Sequence, residues 1–287
     1  MARRLKLLTG LSTVALTGAL ALAACGGQAE GEGEGAATSA SGAPAAAEGE
    51  GEGEGATGAS APAPAASGEG EGGVDIAAAA SDPVVFLSAL AIAEAHVLAA
   101  RDAYAAGRME EAAGMFAHPV SEVLADMEGA LTARGVAPVN ALFIEASEGA
   151  LGEETPDRIS ARTDAIVAAL VEAAKKAPDD GKSAGQVAAG VVSDQIDRAV
   201  DMYRLASASG DYGNYLDGYG FFKAAESVFE RGRAAIAADA PEAAATIEAA
   251  LAALAGAYPD ASPRAVIDGD VAALSAASSR VMLSLGR

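Results

Sequence analysis

The chain has only two histidines in 287 residues, His96 and His118, and their spacing is the first sign of chemistry. Each stands 11 residues from Gly107, which reads as the turn of an antiparallel helical hairpin. Residues equidistant from such a turn lie side by side, so the two imidazoles share one level, about 16 Å from the turn at about 1.5 Å of rise per residue. Glu122 follows His118 by one helical turn on the same face, and Met115 precedes it by about one. Two imidazoles and a carboxylate form a borderline donor set, and a nearby thioether tilts it towards copper, so iron and copper are expected ahead of zinc. Pro119 marks the same place: it removes the hydrogen bond to the Met115 carbonyl, clashes with it, and re-aims His118. A plainer alternative stays open on the sequence, in which each histidine is a core residue bonded to a carbonyl or carboxylate.

A second candidate lies in the stretch from Asp211 to Phe222. Tyr212, Tyr215, Tyr219 and Phe222 recur at spacings of 3, 4 and 3, which puts them on one helical face. Such a stripe packs a core, but phenolates also bind ferric iron and amphipathic aromatics line ligand grooves. Gly213, Gly218 and Gly220 interrupt this helix and point to a kink or a close helix contact. Nucleophilic constellations are missing: Ser121 near His118 has no oriented base, and no phosphate-cradling glycine loop or His-Glu-x-x-His helix occurs. No enzymatic activity is expected.

The elements that must carry these residues are helices. From Val74 onward apolar residues recur with helical periodicity and no stretch alternates with period two, so the fold class is all-α. Ser81-Asp82-Pro83 opens a helix that closes at Gly107, and a second runs from Met109 to Arg134, broken at His118-Pro119 and closed by Gly135. A third starts at Pro138, and a fourth at Thr155-Pro156 ends before Pro178. Ser183 and Gln186 form a capping box for a fifth, which ends at Gly210. Asp211 starts a sixth, Asp239-Ala-Pro-Glu242 a seventh and Ser262-Pro263 an eighth.

The third helix recurs 103 residues later. Ala137, Pro138, Ala141, Ile144, Glu145, Ala146 and Leu151 match Ala240, Pro241, Ala244, Ile247, Glu248, Ala249 and Leu254. Tyr104 likewise matches Tyr203, and Pro156 matches Pro263. Two tandem four-helix bundles related by internal duplication are therefore expected, over 74–181 and 182–287. Gln195 and Phe221 occupy the positions matching His96 and His118, so a histidine site exists once.

Before the helices come a leader and a linker. Residues 1–24 combine Arg3, Arg4 and Lys6 with an apolar run from Leu7 to Leu20, the pattern of a signal peptide. Residues 25–73 are rich in Gly, Glu and Ala, with nine glutamates and neither basic nor aromatic residues. Such a segment cannot bury enough surface to fold, and as a coil it reaches about 40 Å. The formal charge of −21 becomes −24 once the three leader cations are subtracted. That surface repels nucleic acid and anionic headgroups and favours cations or basic proteins.

Two resemblances sharpen these expectations. Leu22-Ala23-Ala24-Cys25 resembles the lipobox of bacterial lipoproteins, which implies cleavage before Cys25 and a lipid on its thiol. Gly26, where Asp would stand in retained members, resembles the outer-membrane sorting pattern, which implies a protein facing the periplasm. A lipid-anchored domain of two related helical bundles with its histidines in the first half is similar to the imelysin-like family, which implies metal binding linked to iron uptake. That family's His-x-x-Glu motif is replaced here, since Ala99 and Ser121 stand three residues after His96 and His118. Together the residues point to an envelope lipoprotein handling iron or copper. The alternatives are an adaptor for a basic protein partner, or a carrier holding an apolar ligand between the bundles.

Overall fold

A computed structural model describes residues 73–286. The leader, Cys25 and all of the linker but Gly73 lie outside the described residues. Ten α-helices and one π-helical turn account for most of what is described, with no strand among those residues: α1 (Ile76–Ala79), α2 (Pro83–Ala105), α3 (Met109–Pro119), the π-turn (Val120–Leu124), α4 (Ala125–Ala133), α5 (Asn140–Leu151), α6 (Pro156–Ala174), α7 (Ala184–Ser209), α8 (Tyr212–Asp239), α9 (Pro241–Ala257) and α10 (Val271–Ser284). Three of the expected start signals act as written, at Asp82, Ser183 and Asp211. Asp82 accepts from the Val84 amide at 2.7 Å with Pro83 in the first turn, and Ser183 and Gln186 close a reciprocal capping box. Gly210, at φ 71°, ends α7 in the left-handed region, and Asp211 at once caps α8 through the Asn214 amide at 2.8 Å.

At the centre stands α2, which packs against α3, α6, α7 and α8. Eighteen of its 23 residues are buried, so it is apolar on every side rather than along one stripe. Around it, α3 packs on α5 and α5 on α6, while α7 packs on α8 and α10, α8 on α9 and α9 on α10. The break expected at Pro119 takes the form of the π-turn: without the proline N–H the helix widens for five residues before α4 resumes. Ser121 Oγ donates to the His118 carbonyl at 3.3 Å across it.

Two expectations are corrected. Helix α10 begins at Val271, not at Ser262-Pro263, because the preceding segment is held as an irregular loop. Tyr212 and Tyr215 donate to the carbonyls of Ala261 and Asp260 at 2.6 and 2.9 Å, and Asp260 accepts from the Ser262 amide at 2.8 Å, closing a turn where a cap was expected. The matched residues of α5 and α9 are also not equivalently placed. Ile144 and Leu151 are 47% and 63% exposed, whereas Ile247 and Leu254 are buried. The buried positions correspond one residue further along the sequence, Phe143 to Ile247, Ala146 to Ala250 and Ala150 to Leu254.

The glycines of α8 serve close contact and not a kink, since α8 runs unbroken through Gly213, Gly218 and Gly220. A methyl on Gly220 would lie 2.6 Å from the Ala95 carbonyl oxygen and 3.1 Å from Ala99 Cβ, so α8 touches the α2 backbone there. Gly218 similarly seats the Tyr258 phenol. Replacing glycine by alanine inside a helix normally stabilises it by about 0.5–1 kcal/mol. Gly220→Ala should instead destabilise, by about 1–3 kcal/mol, through forced separation of packed backbones. Gly129→Ala in α4, where a methyl meets nothing within 4 Å, should show the ordinary stabilisation. Denaturant melts of the two variants beside the parent check the opposite signs.

Candidate metal centre

The hairpin arithmetic holds in three dimensions. His96 on α2 and His118 on α3 face each other with ring centroids 5.9 Å apart and planes 77° from parallel. His96 is buried, and His118 lies at the surface end of the same space. The π-turn carries Glu122 back towards them, with its Oε2 3.7 Å from His96 Nε2. A residue not anticipated as a ligand completes the group. Asp217 of α8 places Oδ1 3.8 Å from His96 Nε2, and one donor atom each from His96, His118 and Asp217 lie within 4.8 Å of one another.

Asp217 arrives there through the α2–α8 contact. With Gly220 against Ala95, Phe221 packs edge-on against the His96 ring at 5.9 Å between centroids, and Asp217, one turn earlier, faces the same imidazole. Phe221 thus touches the histidine site itself. Met115, expected nearby as a soft donor, is buried in the core. Tyr212, Tyr215 and Tyr219 do not share a site. The first two hold the loop before α10, and Tyr219 donates to Asp102 Oδ2 at 2.7 Å. Burial raises all three phenols above their ordinary range, against phenolate formation.

Protonation states follow from the contacts. His96 Nδ1 lies 2.8 Å from the Ile92 carbonyl; a carbonyl only accepts, so Nδ1 carries the proton and Nε2 exposes a lone pair when the ring is neutral. Burial keeps it neutral by pulling His96 below the ordinary histidine range, the Ile92 bond and the Glu122 charge acting in the opposite sense. Burial pushes the Asp217 carboxyl up to about 6, with His118 opposing and Asp211 adding to the rise. Its Oδ1 is buried and has no hydrogen-bond partner. A lone pair and an unpartnered carboxylate oxygen therefore face one another at 3.8 Å, an arrangement unfavourable in itself and suited to a cation between them. Donors around a four-coordinate ion with bonds of 2.0–2.1 Å lie about 3.3–3.4 Å apart, so small side-chain rotations close the site.

The cost of that arrangement is measurable. Asp217 titrates near 6 in the fold against an ordinary value of 3.8. Its penalty is therefore full above pH 6 and vanishes as pH falls towards 4. Asp217→Asn removes the charge and offers an N–H to His96 Nε2. It should raise the melting temperature of metal-free protein at pH 7.5, an effect of the order of 1–3 kcal/mol, and raise it by only about a third as much at pH 4.5. Thermal melts at both pH values test this, and destabilisation at pH 7.5 would make Asp217 a structural residue.

No protein-family model, no curated protein and no solved structure matches this chain.

Proposed function

We propose that the chain is a cell-envelope lipoprotein whose helical domain binds one transition-metal ion, for uptake or storage, through His96, His118, Asp217 and Glu122. The observation that carries this reading is the His96 tautomer. Its Nδ1–H is held by the Ile92 carbonyl, while Nε2 is aimed at two carboxylate oxygens 3.7 and 3.8 Å away. A backbone carbonyl on the far nitrogen is the usual outer support of a metal-bound histidine. A core histidine would instead present a proton to its carboxylate. Two imidazoles with two carboxylates form a nitrogen- and oxygen-rich donor set suited to iron. The exposed position of His118 leaves a way in for the ion.

Attachment belongs to the same proposal. The lipobox at Cys25 tethers the domain to the membrane through the acidic linker, on the periplasmic face of an outer membrane where the host has one. Among the described residues only α2 is long and apolar enough to span a bilayer, and 89% of its most apolar window is buried in the bundle. The two halves are proposed to be copies of one four-helix unit, as the imelysin-like resemblance implies. Supporting this, α2–α3–α5–α6 and α7–α8–α9–α10 pack in the same cyclic order.

Protein purified without chelators or a histidine tag should carry one iron per chain by elemental analysis, or take up one equivalent of Fe(II). His96→Ala, His118→Ala and Asp217→Asn should each weaken binding at least about tenfold, or about 1.4 kcal/mol, while Glu110→Gln on the exposed side of α3 leaves it intact. Because the ligands bind deprotonated, affinity should fall as pH drops through about 6, where the Asp217 carboxyl takes up its proton. Parent-like binding by a His96→Ala, His118→Ala double variant would end the metal reading in favour of the adaptor one. In a separate fractionation, Cys25→Ser should move the protein from the membrane pellet to the soluble fraction. Wholly sedimenting Cys25→Ser protein would refute lipid anchoring.

A further inference from the structure

A second feature lies between the two halves, where α2 and α6 face α7 and α8. A cavity of about 390 Å³ opens there, walled by Leu87, Leu90, Leu170, Val187, Val191 and Val228. Small residues keep it open: Ala91, Ala174 and Ala188 line it where larger side chains would close it. Along α2 the lining runs from Pro83 to Glu94, eleven residues or about 16 Å of helix. The slot is long and almost wholly apolar, the shape of an extended hydrocarbon chain.

Charge decides what kind of chain. Two cations touch the slot, and both are already matched. Arg231 makes a bidentate pair with the buried Glu94 at 2.8 and 2.7 Å, and Ser227 donates to the same carboxylate at 2.7 Å. Lys182 pairs with Asp180 and, at 3.5 Å, with Asp82, while Asp179 adds another carboxylate to the lining. An anionic headgroup would find no unmatched cation and would meet an acidic protein. We propose that this slot binds a single neutral hydrocarbon chain, such as the acyl chain of an ester, a fatty alcohol or a linear isoprenoid, independently of the metal centre.

Calorimetric titration of the full chain with 1-decanol tests the proposal, with decanoate and shorter and longer alcohols as comparisons. Expected are saturable one-to-one binding of decanol, at least about tenfold weaker binding of decanoate, and affinity rising up to about fourfold per added methylene until the chain outgrows the slot. Ala174→Phe, which fills the slot from α6, should lower decanol affinity at least about tenfold with an unchanged helical circular-dichroism spectrum. Should that variant fail to fold, Ala188→Met fills the slot from α7 and should give the same loss. Absence of saturable decanol binding, decanoate binding as tightly as decanol, or parent-like affinity in a folded slot-filled variant would each overturn the proposal.

Discussion

A helix enclosed on every side governs this structure. Because α2 touches α3, α6, α7 and α8, it is buried without interruption from Ser88 to Ala100, and a polar group there must look to a neighbour for its partner, which Glu94 finds on α8 and the Ser88 hydroxyl does not. The enclosure also explains its composition. Alanine at 89, 91, 93, 95, 99, 100 and 103 lets four helices approach at once, and where even alanine is too large the partner gives way, as at Gly220 of α8. The polar residues of α2 then dictate what its neighbours carry. Asp102 receives the Tyr219 hydroxyl, and Glu94 receives Arg231 and Ser227.

Against that rule His96 stands out. Glu94, 3% exposed, is met by a guanidinium and a hydroxyl from α8. Two residues on, with burial almost the same, the neighbours of His96 supply carboxylates to a nitrogen that carries no proton. A core built for stability alone would place a donor there. Buried polar groups that are well formed but incompletely matched are where function is expected to show, because the missing partner is supplied from outside. The two α2 residues thus separate a structural ion pair from a binding site by the sign of what faces them.

The first half of the site was legible in the sequence and the second was not, for a geometric reason. His96 and His118 belong to helices joined by one tight turn, so counting residues from Gly107 placed them at one level without any knowledge of tertiary packing. Glu122 followed by helical spacing, although the π-turn after Pro119 changes the path by which it arrives. Asp217 comes from a helix more than ninety residues away, and nothing local sets its level against α2. The only traces were Gly218 and Gly220 beside it, which signalled close approach without naming the partner. The late start of α10 escaped for a related reason: Pro263 forbids a continuing helix but does not begin one, and the loop before it is fixed by tyrosines of α8. Identity likewise misled at Ile144 and Leu151, since in an alanine-rich helix a one-residue shift of the buried face leaves the letters matching and the packing not.

Both proposed sites draw on the two halves together. The metal centre takes three donors from α2, α3 and the π-turn and one from α8, and the slot is walled by α2 and α6 on one side and by α7 and α8 on the other. A ligand that bridges two halves stabilises their association by its own binding free energy, which grows as RT ln(1 + [L]/Kd). The Asp217 charge acts in the opposite direction when no cation is present, because the same α2–α8 contact then brings a carboxylate against the lone pair of His96. The α2–α8 contact is thus held by Glu94–Arg231 and Asp102–Tyr219 and opposed at His96–Asp217. Helical content need not change for such an interface to respond to a metal ion: the two hydrogen-bonded pairs keep α8 in register, and an ion held between His96 and Asp217 would turn that contact alone from repulsive to attractive.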